Sequence, residues 1–127
     1  MHVIYSNTPA GQAETHPLVL IHLDPGGTTT PLQFVKEAER SLILGAAKHD
    51  IDRAAAEALC LIMLACQTAM QQGGWGCSNQ AMRRALRQVS GPAAACAKLA
   101  RDEKTGDAMR AVTAALEGTI QSVAVNS

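Results

Sequence analysis

The longest strongly apolar run in the sequence is Ala58-Leu59-Cys60-Leu61-Ile62-Met63-Leu64-Ala65-Cys66. A membrane-spanning helix needs roughly 20 such residues, so this run is too short to cross a bilayer by itself. Because it is apolar on all sides, it predicts the central, buried helix of a soluble domain. Asp50 is a good N-cap residue, and we expect the helix to extend from there to about Gln72.

A second helix is predicted directly upstream. Thr30 can cap its N-terminus, Pro31 suits the first helical position, and Gln33 can complete a capping box. Apolar residues recur at helical spacing along one side, at Leu32, Val35, Ala38, Leu42 and Ala46. We therefore expect residues 31–72 to form the main antiparallel helix pair.

Two further helices are predicted after the glycine-rich segment 73–77. Ser78 can cap a third helix, which we expect to extend to about Val89. The segment Ser90-Gly91-Pro92 is expected to end it and to start a fourth helix, because proline interrupts a helix interior. That fourth helix should extend to about Lys104.

The two ends of the chain are predicted to differ in structure. Residues His2–Ser6 and Leu18–Leu23 are rich in strand-forming residues and flank a polar loop, which favours a β-hairpin. Apolar residues at heptad-like spacing predict a last helix over about residues 106–123. The β-branched content of residues 119–125 leaves a terminal strand as the alternative.

The predicted fold is therefore α+β and mostly α, with a short N-terminal β-hairpin packed on a bundle of four to five helices. We expect one domain over residues 1–127, with the hairpin segment in 1–24 and the bundle in 30–125. Hydrophobic residues make up 47% of the chain, but there is only one Phe, one Trp and one Tyr. An alanine-rich interior buries little apolar area per residue, so we expect a modest core that a partner or a second copy completes.

Charge and cysteine content limit the cellular location and the partners that we expect for this protein. It has 11 basic and 11 acidic residues, so the formal net charge is zero. There is no bulk basic field to favour nucleic acid, and little repulsion opposes self-association. The first residues lack the pattern of a secretory signal, so we expect a cytoplasmic protein with no membrane partner and with its four cysteines as reduced thiols.

A glycine-rich turn between the second predicted strand and the first helix is a candidate small-ligand or phosphate site. Its residues are Asp24, Gly26, Gly27, Thr28 and Thr29. Free amides at a helix N-terminus can bind an anion. However, the lysine of a P-loop and the G-x-G-x-x-G spacing are both missing, which favours a simple connector.

The cysteines do not predict a metal site, and no cofactor is predicted. Cys60 and Cys66 are six residues apart on one helix, about 240° around its axis, so they cannot bind one ion together. Cys60, Cys66 and Cys96 are expected to pack in the core. Cys77 precedes a helix N-terminus, which can lower a thiol pKa, although an ordinary loop cysteine is the simpler interpretation. We find no catalytic constellation.

The most suggestive surface combines an isolated tryptophan with the only basic cluster. Its residues are Trp75, Arg83, Arg84 and Arg87. Tryptophan and arginine are enriched at protein-binding hot spots. The same arginines could contact nucleic-acid phosphates, with the third and fourth predicted helices forming a helix-turn-helix.

These patterns predict a non-enzymatic protein-binding module, such as an adaptor, inhibitor or assembly factor. Its partner would be a protein, including another copy of itself in a homodimer. One alternative is a nucleic-acid-binding regulator that uses the Arg83/Arg84/Arg87 helix. The other is a small-ligand or phosphate binder at the turn from Asp24 to Thr30.

Overall fold

The computed structural model of the chain describes residues 2–4, 20–22 and 29–125. Within these residues there are four long helices: α1, Pro31–Lys48; α2, Ile51–Gln72; α3, Asn79–Leu99; and α4, Glu103–Val125. Two three-residue segments have strand geometry: β1, His2–Ile4, and β2, Leu20–His22.

The predicted α+β fold, with a β-hairpin packed on the helices, is wrong, because the fold of the described chain is all-α. β1 and β2 pair with each other in antiparallel register, with Val3 opposite Ile21. Two strands of this length cannot form an independently stable β layer. The extensive contacts of the bundle are all between helices, and none of them involves β1 or β2. The connection between β1 and β2 lies outside the described residues.

The start of α1 is confirmed as a capping box. Thr30 Oγ1 accepts a hydrogen bond from the Gln33 amide at 3.2 Å, and Gln33 Oε1 accepts one from the Thr30 amide at 3.2 Å. The helix ends in a left-handed residue, His49, with φ 56°. Only His49 and Asp50 then connect it to α2, so the two helices form the predicted antiparallel pair.

The predicted break at Ser90-Gly91-Pro92 is wrong, because α3 continues through Pro92 to Leu99. The neighbouring Gly91 makes this proline tolerable inside the helix. Gly91 has no Cβ to collide with the proline ring, and this collision is what normally disfavours helix before proline. The Ser90 hydroxyl lies 3.4 Å from the Leu86 carbonyl and donates to it. Val89, Ala93 and Cys96 also continue one buried stripe across the proline.

The last helix is longer than predicted, and the terminal-strand alternative is wrong. α4 begins at Glu103 and remains helical to Val125. Asp102 precedes it, and its Oδ1 accepts a 2.7 Å hydrogen bond from the Thr105 amide. Buried residues every three or four positions hold the whole length of α4 in the helical state despite its β-branched end: Thr105, Met109, Val112, Leu116, Thr119 and Val123.

The helices pack in the cyclic order α1, α2, α4, α3. α2 and α4 run parallel, because their cross-helix contacts follow the same order along both chains. The Thr105 hydroxyl lies 3.4 Å from Asp52 Oδ1 near the two N-termini, and Cys66 Sγ lies 3.6 Å from Thr119 Oγ1 further along. The segment between α2 and α3 therefore links helices at opposite corners of the bundle.

The core combines small residues, mostly alanines of α2, with larger apolar side chains from all four helices, among them Leu42, Ile62, Leu86 and Leu116. Val35, Ala38 and Leu42 are buried as predicted, and Phe34 joins them. Ala54 of α2 lies against α1, where Gly45 packs so closely that a Cβ there would overlap the Ala54 Cβ. α3 and α4 also bury large side chains, among them Met82, Leu86, Met109 and Leu116.

Candidate binding surfaces

The three predicted arginines lie together on the outer side of α3. Met82, Leu86 and Val89 face the core, which turns the intervening positions outward. Arg84 and Arg87 are exposed, and Arg83 is half-buried. Together with two glutamines they line an open surface depression of about 430 Å³, formed by Gln80, Arg83, Arg84, Arg87 and Gln88. We call this the arginine face.

The arginine face has no acidic neighbour on its own helix or in the segment before it. No Asp or Glu occurs between Glu57 and Asp102, so α3 carries only positive charges. Elsewhere in the bundle, Arg53 pairs with Glu57 on α2 and Arg110 pairs with Asp107 on α4. α3 is therefore a locally cationic helix, although the net charge of the whole protein is zero.

Trp75 is placed differently from the arginines. Its side chain is half-buried and packs against the hydrophobic core. The surrounding loop is held by a hydrogen bond from Gln72 Nε2 to the Gly74 carbonyl at 2.9 Å, and Gly73 and Gly76 supply its left-handed residues. The indole therefore covers one end of the bundle, and only part of it remains available for a partner.

The cysteines behave as small apolar groups. Cys96 is buried, and its thiol donates to the Leu42 carbonyl at 3.2 Å, which ties α3 to α1. Burial raises the pKa of the Cys77 thiol, in the opposite direction to the effect expected from its place before a helix. No group of three potential metal ligands is found within the described residues.

The candidate turn before α1 is described only at its end. Asp24, Gly26, Gly27 and Thr28 lie outside the described residues, whereas Thr29 is half-buried beside the cap. The Thr30 and Gln33 amides each donate to the side chain of the other residue in the capping box. These two amides are therefore not available to an anion at the start of α1.

A second surface, which the sequence did not predict, is an apolar groove between α2 and α4. It has a volume of about 430 Å³ and is lined by Ile62, Met63, Cys66, Gln67, Ala115, Gly118, Thr119 and Ser122. Met63 is 53% exposed at its edge, and Met70 further along α2 is 82% exposed. The prediction that α2 is buried on all sides is therefore wrong. We call this surface the α2–α4 face.

The sequence does contain a signal for the α2–α4 face. No charged residue occurs from Ala58 to Met82, well beyond the apolar run that predicted a buried helix. In the described residues α2 is the one helix long and apolar enough to cross a membrane, and 39% of its most apolar window is buried in the bundle. The core helix of a soluble protein meets the same criterion, so this property does not by itself indicate a membrane span.

The chain matches no protein-family model, and no curated protein or solved structure is significantly similar to it. The candidate functional features of the protein are therefore the arginine face and the α2–α4 face.

Proposed function

We propose that this protein is a non-enzymatic binding module that captures an acidic segment of a partner protein on the arginine face. The observation that carries the proposal is a helix bearing only positive charge, with Arg84 and Arg87 exposed beside an open depression. Arginine donates two parallel hydrogen bonds to a carboxylate, so a cluster of arginines favours Asp and Glu side chains.

The structural causes of the shifted pKa values favour a binding role over catalysis. Among the described residues these belong to Cys77, Cys96 and Asp102. Burial accounts for both thiols, and the capping hydrogen bonds from Thr105 account for the carboxylate. Each shift thus has a structural cause, and none marks a group poised for chemistry. We also propose a cytoplasmic location, because no disulfide joins any of the four cysteines.

Nucleic acid is the second candidate ligand, because the same acid-free helix could contact phosphates. Two features favour an acidic protein instead. α3 is continuous through Pro92, so the predicted helix-turn-helix is not formed. The single tryptophan, which could stack on a base, is half-buried against the core.

The proposal is tested with a labelled oligoglutamate peptide as the acidic probe. We expect the protein to bind it, with an affinity that falls as salt is added, since exposed charges are screened. The double variant R84E/R87E should weaken binding about tenfold or more, because two contacts become repulsive. The matched control is K36E/R40E, which makes the same charge change at two exposed positions of α1 and should bind like the unmodified protein.

Two results would contradict the proposal. One is equal loss of binding in R84E/R87E and K36E/R40E, which would show a diffuse charge effect. The other is tighter binding of labelled oligothymidylate than of oligoglutamate, with the same dependence on Arg84 and Arg87, which would favour the nucleic-acid candidate. In both cases circular dichroism of the variants checks that the helices are intact.

A further inference from the structure

We propose that the protein forms a two-fold symmetric dimer through the α2–α4 face, in which Met63 of each copy packs on Ala115 and Gly118 of the second copy. This surface is separate from the arginine face. The dimer therefore does not depend on the proposed acidic partner, and either proposal can fail without the other.

The first observation is that the α2–α4 face has both projections and a recess. Met63 and Met70 project from α2, with 53% and 82% of their surface exposed. On α4, Gly118 has open space where a Cβ would be, and small residues flank it at Ala115 and Ser122. Methionine is flexible and is favoured at surfaces that must adapt to a partner. A projecting methionine and an open glycine on one face are complementary shapes.

Because α2 and α4 pack in parallel, the projecting methionines of α2 and the recess at Gly118 of α4 lie at matching levels along the helix axes. Asp52 pairs with Thr105 and Cys66 with Thr119, so residues 53 apart lie side by side. By this register Met63 is level with residue 116, between Ala115 and Gly118, and Met70 is level with residue 123, beside Ser122. A two-fold axis parallel to the groove places α2 of each copy opposite α4 of the other copy, at the same level along the helix axes. Met63 then meets Ala115 and Gly118 of the second copy without any shift.

Charge also favours a second copy as the occupant. No charged residue occurs from Ala58 to Met82, and Glu117 is the only one from Ala111 to the end of the chain. Because α2 and α4 are parallel, their uncharged halves lie at the same end of the molecule. Depletion of charge is the compositional mark of an interface centre. An uncharged face is matched by another uncharged face, and the zero net charge of the chain does not oppose pairing.

The size of the face is sufficient for a dimer. A helix of 22 residues such as α2 is about 33 Å long at 1.5 Å per residue. Two helices of about 10 Å diameter packed side by side present a face about 20 Å wide, or roughly 650 Å² over their full length, and the uncharged part from Ala58 onward supplies about two thirds of it. A standard interface buries about 800 Å² on each partner, so this face fits the smaller class of interface that forms reversible dimers.

A lipid surface would be the other occupant for such a face, and the local composition argues against it. Helices that lie on membranes combine an apolar face with Lys and Arg on the polar face. The charge-free stretch of α2 offers no such cations, and Gln67 lines the groove itself. An uncharged amide fits the centre of a protein interface, where it can pair with the exposed Ser122 of the second copy.

The test begins with sedimentation of the full chain across micromolar concentrations, where we expect a reversible dimer. M63E should raise its dissociation constant by about 30-fold or more, because each interface then buries two carboxylates. The matched control is I43E on α1, an apolar residue of similar exposure at 50%, which should leave the dimer unchanged. G118L should also dissociate the dimer while improving helix propensity, which separates loss of the interface from loss of the fold.

A mixing experiment identifies the pairing. M63E and G118K should each be monomeric alone, and together they should form a mixed dimer, because the introduced carboxylate of one chain then faces the introduced ammonium group of the other. A monomeric unmodified protein, or a dimer that survives both M63E and G118L, would overturn the proposal. So would binding of the monomer to phosphatidylcholine vesicles that M63E abolishes, which would assign the face to lipid.

Discussion

Gly45 sets how closely α1 and α2 approach. It is buried in α1, and a Cβ there would overlap the Ala54 Cβ and lie 3.2 Å from the Asp50 carbonyl oxygen. Both neighbours are rigid, one a methyl group on a helix and the other backbone. The close contact therefore depends on the absence of a side chain, and it explains how an alanine-rich interior can still be tightly packed.

We expect G45A to lower the free energy of unfolding by about 1–3 kcal/mol, because overpacking outweighs the higher helix propensity of alanine. The matched control is G106A in α4, where the nearest atom to a new Cβ would be on the Arg110 side chain at 3.6 Å. That variant should be neutral or more stable, by about 0.5–1 kcal/mol. Urea denaturation measures both, and equal effects at the two glycines would contradict the packing argument.

Among the helices, α3 shows how the surrounding residues can allow a proline inside a helix. Pro92 removes one backbone donor, so the Gln88 carbonyl loses its intrahelical partner. Gly91 relieves the clash before the ring, and the buried stripe of Val89, Ala93 and Cys96 holds both halves against the bundle. Packing energy along the stripe outweighs the local cost of the proline.

We expect P92A to raise the free energy of unfolding by about 1–3 kcal/mol, because it restores the missing hydrogen bond and removes the ring. A double-mutant cycle tests the role of Gly91. G91A should destabilise the protein when Pro92 is present and stabilise it when residue 92 is alanine. Additive effects of the two substitutions would show that Gly91 does not relieve the proline.

The start of α4 is predicted to respond to pH through Asp102. Hydrogen bonds from the Thr105 amide and then the Thr105 hydroxyl lower the pKa of the Asp102 carboxyl, with Lys104 adding to the effect. The carboxylate therefore stabilises the fold above the unfolded pKa of about 3.9, and this contribution is lost as the pH falls through the folded value.

D102N keeps an oxygen that can accept the Thr105 hydrogen bond but removes the charge. We expect it to be less stable than the unmodified protein at neutral pH, and the difference should close in acid. E103Q is the comparison, because it removes the same charge from the same helical turn without altering the Thr105 cap. Chemical denaturation from neutral to acidic pH measures the difference, and a constant gap for D102N would refute the assignment.

At the scale of the whole molecule, the decisive feature is the parallel pairing of α2 with α4. It brings the uncharged halves of two helices to one end and creates the α2–α4 face. Cys66 and Thr119 mark its register, since Cys66 Sγ lies 3.6 Å from Thr119 Oγ1. A covalent link between these positions tests the arrangement directly.

T119C should form a disulfide with Cys66 under mild oxidation. The bond would close a loop of 53 residues and stabilise the fold by about 4 kcal/mol if it forms without strain. T113C, an exposed position of α4 on the α3 side, should not form this bond, and adding C66S to T119C should abolish it. Thermal unfolding with and without reductant measures the gain, and failure of T119C to cross-link would contradict the register.

Local patterns in the sequence were enough to predict where α1, α2 and α3 begin and which side of α1, α3 and α4 turns inward. The Thr30 and Ser78 caps and the stripe from Met109 to Val123 are confirmed because hydrogen bonds and periodicity over three or four residues encode them. The three arginines of α3 were found for the same reason, since a helical face is a local property.

Which neighbour covers each helix face depends on the way the four helices pack together. Residues 58–66 look equally apolar on all sides, yet Met63 is half exposed because α4 packs beside it and not over it. The continuity of α3 through Pro92 also depends on contacts between distant segments, and so does the all-α packing of the described residues. The free energy gained when one helix packs against another depends on residues that are far apart in the sequence. No local sequence pattern therefore specifies it.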